Sequence, residues 1–139
     1  MKLLVVDANI LIRAVLGTRT FRLIDDHLAL VEFVVPDTVV REAGERLPAI
    51  MLRRRGGGEA AGVALHELMR YFTIAPASTY WSLEAAARRR IGHRDQNDWP
   101  VLALALSAGC PIWTEDKDFF GCGVATWNTR NIEIYTETA

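Results

Sequence analysis

Long apolar runs are missing from this chain. Stretches such as Leu3–Val6 and Val101–Leu106 fall far short of the about 20 residues that a membrane-spanning helix needs, so no membrane partner is expected. Cysteine is scarce as well: Cys110 precedes Pro111 and Cys122 sits between two glycines, which is neither metal-ligand spacing nor a disulfide framework. Both read as free thiols. An excess of charge of one sign is also absent, because 16 Lys+Arg against 17 Asp+Glu leave a formal net charge of −1. Polyanion binding by the whole surface is thereby excluded, and any nucleic-acid contact must come from a local patch. The start passes from Met1-Lys2 through Leu3-Leu4-Val5-Val6 straight to Asp7, too short an apolar core for a secretory signal, and predicts a cytoplasmic protein. Gly56-Gly57-Gly58 follows no strand and forms no P-loop. His27, His66 and His93 lack triad spacing, and Ser78, Ser82 and Ser107 lack a nucleophile elbow, so covalent serine hydrolysis has no support.

What is present is a 50% hydrophobic chain of 139 residues, enough for one domain over 1–139 to hide roughly two thirds of its surface. Lys2–Val6 reads as a buried parallel strand, followed by a helix from Ile10 to Gly17 with Asn9 as its cap. A second helix is expected over about Phe21–Leu30, a strand at Phe33–Val35, and a helix opened by Asp37-Thr38 that Pro48 breaks, with a further turn to Leu52. Arg53–Gly58 reads as a hinge between helices. Beyond it the pattern predicts a helix over Glu59–Tyr71, a strand at Phe72–Ile74 and an Ala-rich helix ending near Gly92. Next come a polar loop over His93–Asp98, a helix apolar all round through Val101–Leu106, and a strand over Pro111–Thr114. Gly121–Trp127 and Ile132–Tyr135 are expected to add one or two short strands. This alternation implies an α/β domain, a central mostly parallel sheet covered by helices on both faces.

The acids fall in a telling relation to those strands, because ligands of open parallel sheets collect beyond the strands' carboxyl ends. Asp7 follows the first strand, Asp116 lies two residues past Thr114, Asp98 stands at the mouth of the apolar helix, and Glu42 lies one turn into the helix after the second strand. Taken singly, Asp7 and Asp98 could cap helices and Glu42 could be a solvated helix residue. Together they would crowd one rim, where two charges about 4 Å apart repel by about 4 kcal/mol at an effective dielectric near 20. Either protons or a divalent cation must relieve that repulsion, and hard oxygen ligands suit Mg²⁺ or Mn²⁺.

The pattern resembles the PIN-domain ribonucleases, especially the VapC-like toxins of VapBC-type toxin–antitoxin pairs. Leu4–Leu11, with its Asp7-Ala8-Asn9, resembles the family's first motif; Pro36–Glu42 is similar to the second, Arg94–Ala105 to the third and Ile112–Phe119 to the fourth. The resemblance covers nearly the whole chain and implies a three-layer PIN-like fold and a metal-dependent endoribonuclease. Asp7, Glu42, Asp98 and Asp116 would form its acidic quartet, with Asp118 assisting. Asp95 competes with Asp98 for the third role, and the apolar helix beginning directly after Asp98 favours the latter. On this reading Asp7, Asp98 and Asp116 hold the metal, Glu42 binds it or orients the attacking water, and Thr114 lies near the substrate. Arg94 is the candidate for phosphate contact, whereas Arg53–Arg55 and Arg88–Arg90 read as helix-terminal charge. A cognate antitoxin protein and a homodimer are implied by the same likeness. Two rivals stand beside it. One is a phosphotransferase of the haloacid-dehalogenase kind, disfavoured by Asn9 where that chemistry wants a second Asp; the other is a catalytically silent PIN-like module that binds RNA or protein.

Overall fold

The computed structural model describes residues 1–53 and 58–138. Five strands, β1 (Lys2–Val6), β2 (Val31–Pro36), β3 (Phe72–Ala75), β4 (Ile112–Trp113) and β5 (Thr126–Trp127), form one sheet in the order β3-β2-β1-β4-β5. Every pairing is parallel, with Leu4 opposite Phe33 and Val5 opposite both Val34 and Ile112. The helices are α1 (Ala8–Leu16), α2 (Thr18–Asp26), α3 (Asp37–Arg53), α4 (Gly58–Leu68), α5 (Ala77–Tyr80), α6 (Glu84–Ile91), α7 (Trp99–Ala108) and α8 (Ile132–Glu137). α1 to α4 pack on one another, as do α5 to α7, and the sheet lies within a three-layer α/β arrangement. Among the described residues no helix is long and apolar enough to cross a membrane.

The centre follows directly from the apolar runs. Leu4, Val5 and Val6 are wholly buried, and α7, which lies against β1, β2 and β4, buries every residue from Pro100 to Ala105. A helix without a polar face has nowhere else to go. Gly109 then ends α7 at φ 65°, a left-handed turn that a side chain would strain.

Three expectations give way. α3 continues through Pro48 to Arg53, because Ala43 and Leu47 before the proline and Ile50 and Met51 after it all pack on the core. Tertiary burial outweighs the lost backbone hydrogen bond there. Ile132–Tyr135 is helix rather than strand: Ile132, Tyr135 and Thr136 lie on one inward face at helical spacing, and Asn128 starts the turn by accepting from the Asn131 N–H. The second helix spans Thr18–Asp26, earlier than expected, with His27 closing it by a contact from Nδ1 to the Leu23 carbonyl at 2.7 Å. The expected hinge over Arg53–Gly58 falls largely on residues 54–57, outside the described residues.

From β1 the chain builds outward through β2 to β3 on one side, while β4 and β5 add on the other. The carboxyl ends of β1 and β4 therefore flank the point where the winding reverses, where open α/β sheets form their crevice.

Candidate active site

Asp7 emerges from β1 with its N–H still donating to the Trp113 carbonyl at 3.1 Å, so the sheet itself fixes its position. It is 5% exposed. Oδ1 accepts from the Ala8 N–H at 2.7 Å, which makes Asp7 rather than Asn9 the cap of α1. Oδ2 accepts from the Thr114 hydroxyl at 2.7 Å and from Asn9 Nδ2 at 3.3 Å. Thr114 Oγ1 in turn accepts from the Asp116 N–H at 2.9 Å, and Asp116 Oδ1 from the Asp118 N–H at 2.9 Å. A buried threonine thus ties the end of β1 to the loop after β4. Asn9 adds a second tie, its Oδ1 accepting from the Glu115 N–H at 3.4 Å. Replacing Thr114 by valine is expected to cost about 1–2 kcal/mol, measured by chemical denaturation, because the Asp116 N–H and Asp7 Oδ2 both lose a partner. The Asp7 carboxyl should titrate higher in that variant by NMR, since this hydroxyl lowers its pKa.

Asp98 arrives from the other direction, at the start of α7. Its side chain makes no capping hydrogen bond, whereas Asp95 caps the preceding 3₁₀ turn (Gln96–Asp98) by accepting from the Asn97 N–H at 3.0 Å. Ordinary capping therefore accounts for Asp95 and leaves Asp98 unexplained. Asp98 Oδ2 is a buried oxygen without any partner, a costly state for a carboxylate. Carboxylate oxygens of Asp98, Asp116 and Asp118 lie within 4.8 Å of one another. Glu42, exposed on α3, is 3.7 Å from Arg46, and with Asp7 and Asp98 it lines a cavity of about 440 Å³ between α3 and α7.

The crowding shows in the protonation. Burial pushes Asp98 up to about 8, reinforced by the charges of Asp7, Asp116, Asp95 and Glu42. Burial likewise pushes Asp7 up to about 6; the Thr114 and Ala8 hydrogen bonds oppose it, and Glu42 and Asp116 add to it. Carboxylates that resist ionisation in this way, offering hard oxygen donors and one orphaned buried oxygen, fit a divalent cation.

The four acids from distant parts of the chain thus meet at the switch point. Asp118 belongs to the same cluster as Asp98 and Asp116, and Thr114 is buried among the acids' supports rather than open to the cleft. Arg94 spends its guanidinium on the carbonyls of Ile91, Arg90 and Phe120. The sequence reading missed the part played by two residues beside the acids. Asn9, expected to cap the first helix, instead bridges Asp7 to Glu115, and Arg41, which shares its helix with Glu42, lines the cavity.

The family model of the PIN domain matches residues 5–137. The chain belongs to the PIN-domain family. Solved structures share this PIN fold at low identity. PAE2754 from Pyrobaculum aerophilum is 17% identical with a TM-score of 0.70, covering 98% of this chain and 90% of that one. VapBC2 from Rickettsia felis, solved bound to a DNA fragment from their promoter, is 12% identical with a TM-score of 0.66, covering 91% and 98%. FitAcB from Neisseria gonorrhoeae is 23% identical with a TM-score of 0.61, again covering 91% and 98%. No curated protein matches the chain in sequence.

Proposed function

We propose that this PIN domain is a divalent-metal-dependent endoribonuclease and the toxin of a toxin–antitoxin pair. The observation that carries the reading is the buried, unpartnered Asp98 Oδ2, on a residue clustered with Asp116 and Asp118 and sharing a cavity with Asp7 and Glu42. Asp7, Asp98 and Asp116 would hold Mg²⁺ or Mn²⁺, with Asp118 as an auxiliary ligand and Asp95 contributing charge from outside. A cation in such a site makes water more acidic and relieves negative charge on a phosphate. Glu42, exposed on the wall of the cavity, would bind the metal or orient the attacking water and accept its proton. Thr114 holds Asp7 and the Asp116 loop in register, so that the ligands are arranged before substrate arrives.

The toxin role rests on the resemblance of the four motifs to those of VapC-like toxins, with VapBC2 among the structures that share the fold. With it come a cognate antitoxin covering the acidic cleft, a homodimer, a cytoplasmic setting and a single domain over 1–139. The test is incubation with labelled structured RNAs in Mg²⁺ or Mn²⁺. Discrete products that vanish with EDTA are expected; metal-independent binding without any cleavage would favour a silent binding module instead.

A further inference from the structure

We infer that Arg41, rather than Arg94, grips an RNA phosphate next to the one being cut, an inference that rests on the nuclease reading above. The cavity beside the acids is lined by Asp7, Glu42, Glu45 and Asp98, and Arg41 is the one cation on its wall among the described residues. An RNA strand entering there meets like charge on the exposed Glu42 and Glu45, beside the acids that would hold the metal, so a cation on the wall is needed to hold it in place.

Arg41 is also free to act. It is exposed and makes no hydrogen bond or ion pair among the described residues, although Asp37 and Glu45 each lie one helical turn away on α3. Asp37 is already engaged, its Oδ1 accepting from the Thr38 N–H at 2.9 Å and from the Tyr80 hydroxyl at 2.5 Å. The neighbouring arginines are spent. Arg46 pairs with Glu42, Arg88 with Glu84 and Gln96, Arg90 with the Cys122 carbonyl, and Arg94 with three carbonyls. Among the described residues Arg41 alone keeps its planar fork of donors available in the cleft, and that fork matches a phosphate with two parallel hydrogen bonds. Its place next to Glu42 in sequence puts the two on adjacent faces of one rigid helix. A phosphate held by Arg41 would thus be registered against the acids by α3 itself.

The experiment uses the full chain carrying Asp7→Asn, so that RNA stays intact, and a 5′-labelled oligonucleotide that the wild-type protein cuts. Affinity is measured across a range of salt concentrations. Arg41→Gln is expected to weaken binding about tenfold at low salt and to flatten the slope of log affinity against log salt by about 0.7, one single-strand phosphate contact. Arg41→Lys should restore the slope while recovering only part of the affinity, because it keeps the charge and loses the fork. Arg94→Gln should leave the slope unchanged. An unchanged slope in Arg41→Gln, with wild type still cutting, overturns the inference and leaves the nuclease reading standing. If wild type cuts no RNA, the nuclease reading falls first and this inference with it.

Discussion

Replacing Asp98 by asparagine should reduce RNA cleavage about a thousandfold or more while raising the melting temperature of the metal-free protein. The two halves of that result have one cause. Asp98 Oδ2 is buried without a hydrogen bond, and Asp7, Asp116, Asp95 and Glu42 all disfavour its charge. Removing the charge relieves the native state of a repulsion that a bound proton or a cation must otherwise offset. The gain should be about 1 kcal/mol or more, below what the displaced pKa alone would imply, because part of the residue still faces solvent. Asp7→Asn should be equally inactive but gain less. Its carboxylate accepts from Ala8, Asn9 and Thr114, and an amide presents one acceptor where these three donors converge. Calorimetry in EDTA beside a cleavage assay distinguishes the variants, and an Asp98→Asn protein that melts clearly lower than wild type would mark Asp98 as structural.

Without metal, the wild-type protein should lose stability as pH rises from about 4 to about 9. Both shifted groups are carboxyls raised from 3.8, Asp7 to about 6 and Asp98 to about 8. Between the unfolded and folded values the native state binds more protons than the unfolded one, so the stability these protons confer is complete below about 3.8 and lost as pH climbs through 6 and 8. The two sites interact, so the loss belongs to the pair. Discounted for solvent screening, it should reach about 2 kcal/mol or more, read from urea midpoints at fixed ionic strength. Adding Mg²⁺ or Mn²⁺ should reverse the trend, because the cation binds the ionised carboxylates and stabilises in proportion to the logarithm of its concentration over Kd. A metal-free protein whose stability is flat from pH 5 to 8 would remove the basis for the crowded cleft.

Much of this was legible in the residues. The continuous Val/Leu run before Asp7 and the all-apolar body of α7 each have one physical outcome, burial in or against the centre of a parallel sheet, and Asp7 and Asp98 follow from where β1 ends and α7 begins. Contacts between remote segments were not legible. Ile132–Tyr135 has β-branched residues that suit a strand, and only the turn set by Asn128 and Asn131 makes it a helix. Pro48 signals a break, yet burial on either side overrides it. Arg41 and Arg94 look alike in sequence, and what separates them is whether carbonyls from α6 and from Phe120 happen to surround the guanidinium. The Thr114 bridge was hidden for the same reason, because nothing local to Ile112–Thr114 announces a carboxylate from the first strand.

That bridge has a temporal consequence. The Asp7–Thr114 hydrogen bond joins residues 107 positions apart, and β1 finds its β4 neighbour only when Ile112 and Trp113 are available to pair with Val5 and Val6. Contacts of such separation are slow to form because the loop-closure entropy must be met first. A chain emerging from the ribosome therefore carries no assembled cleft until the segment carrying Ile112 to Asp116 has been released. On the proposed function, synthesis itself would delay the appearance of activity, and a chain truncated before Asp116 would be inert toward the RNA of the machinery still translating it.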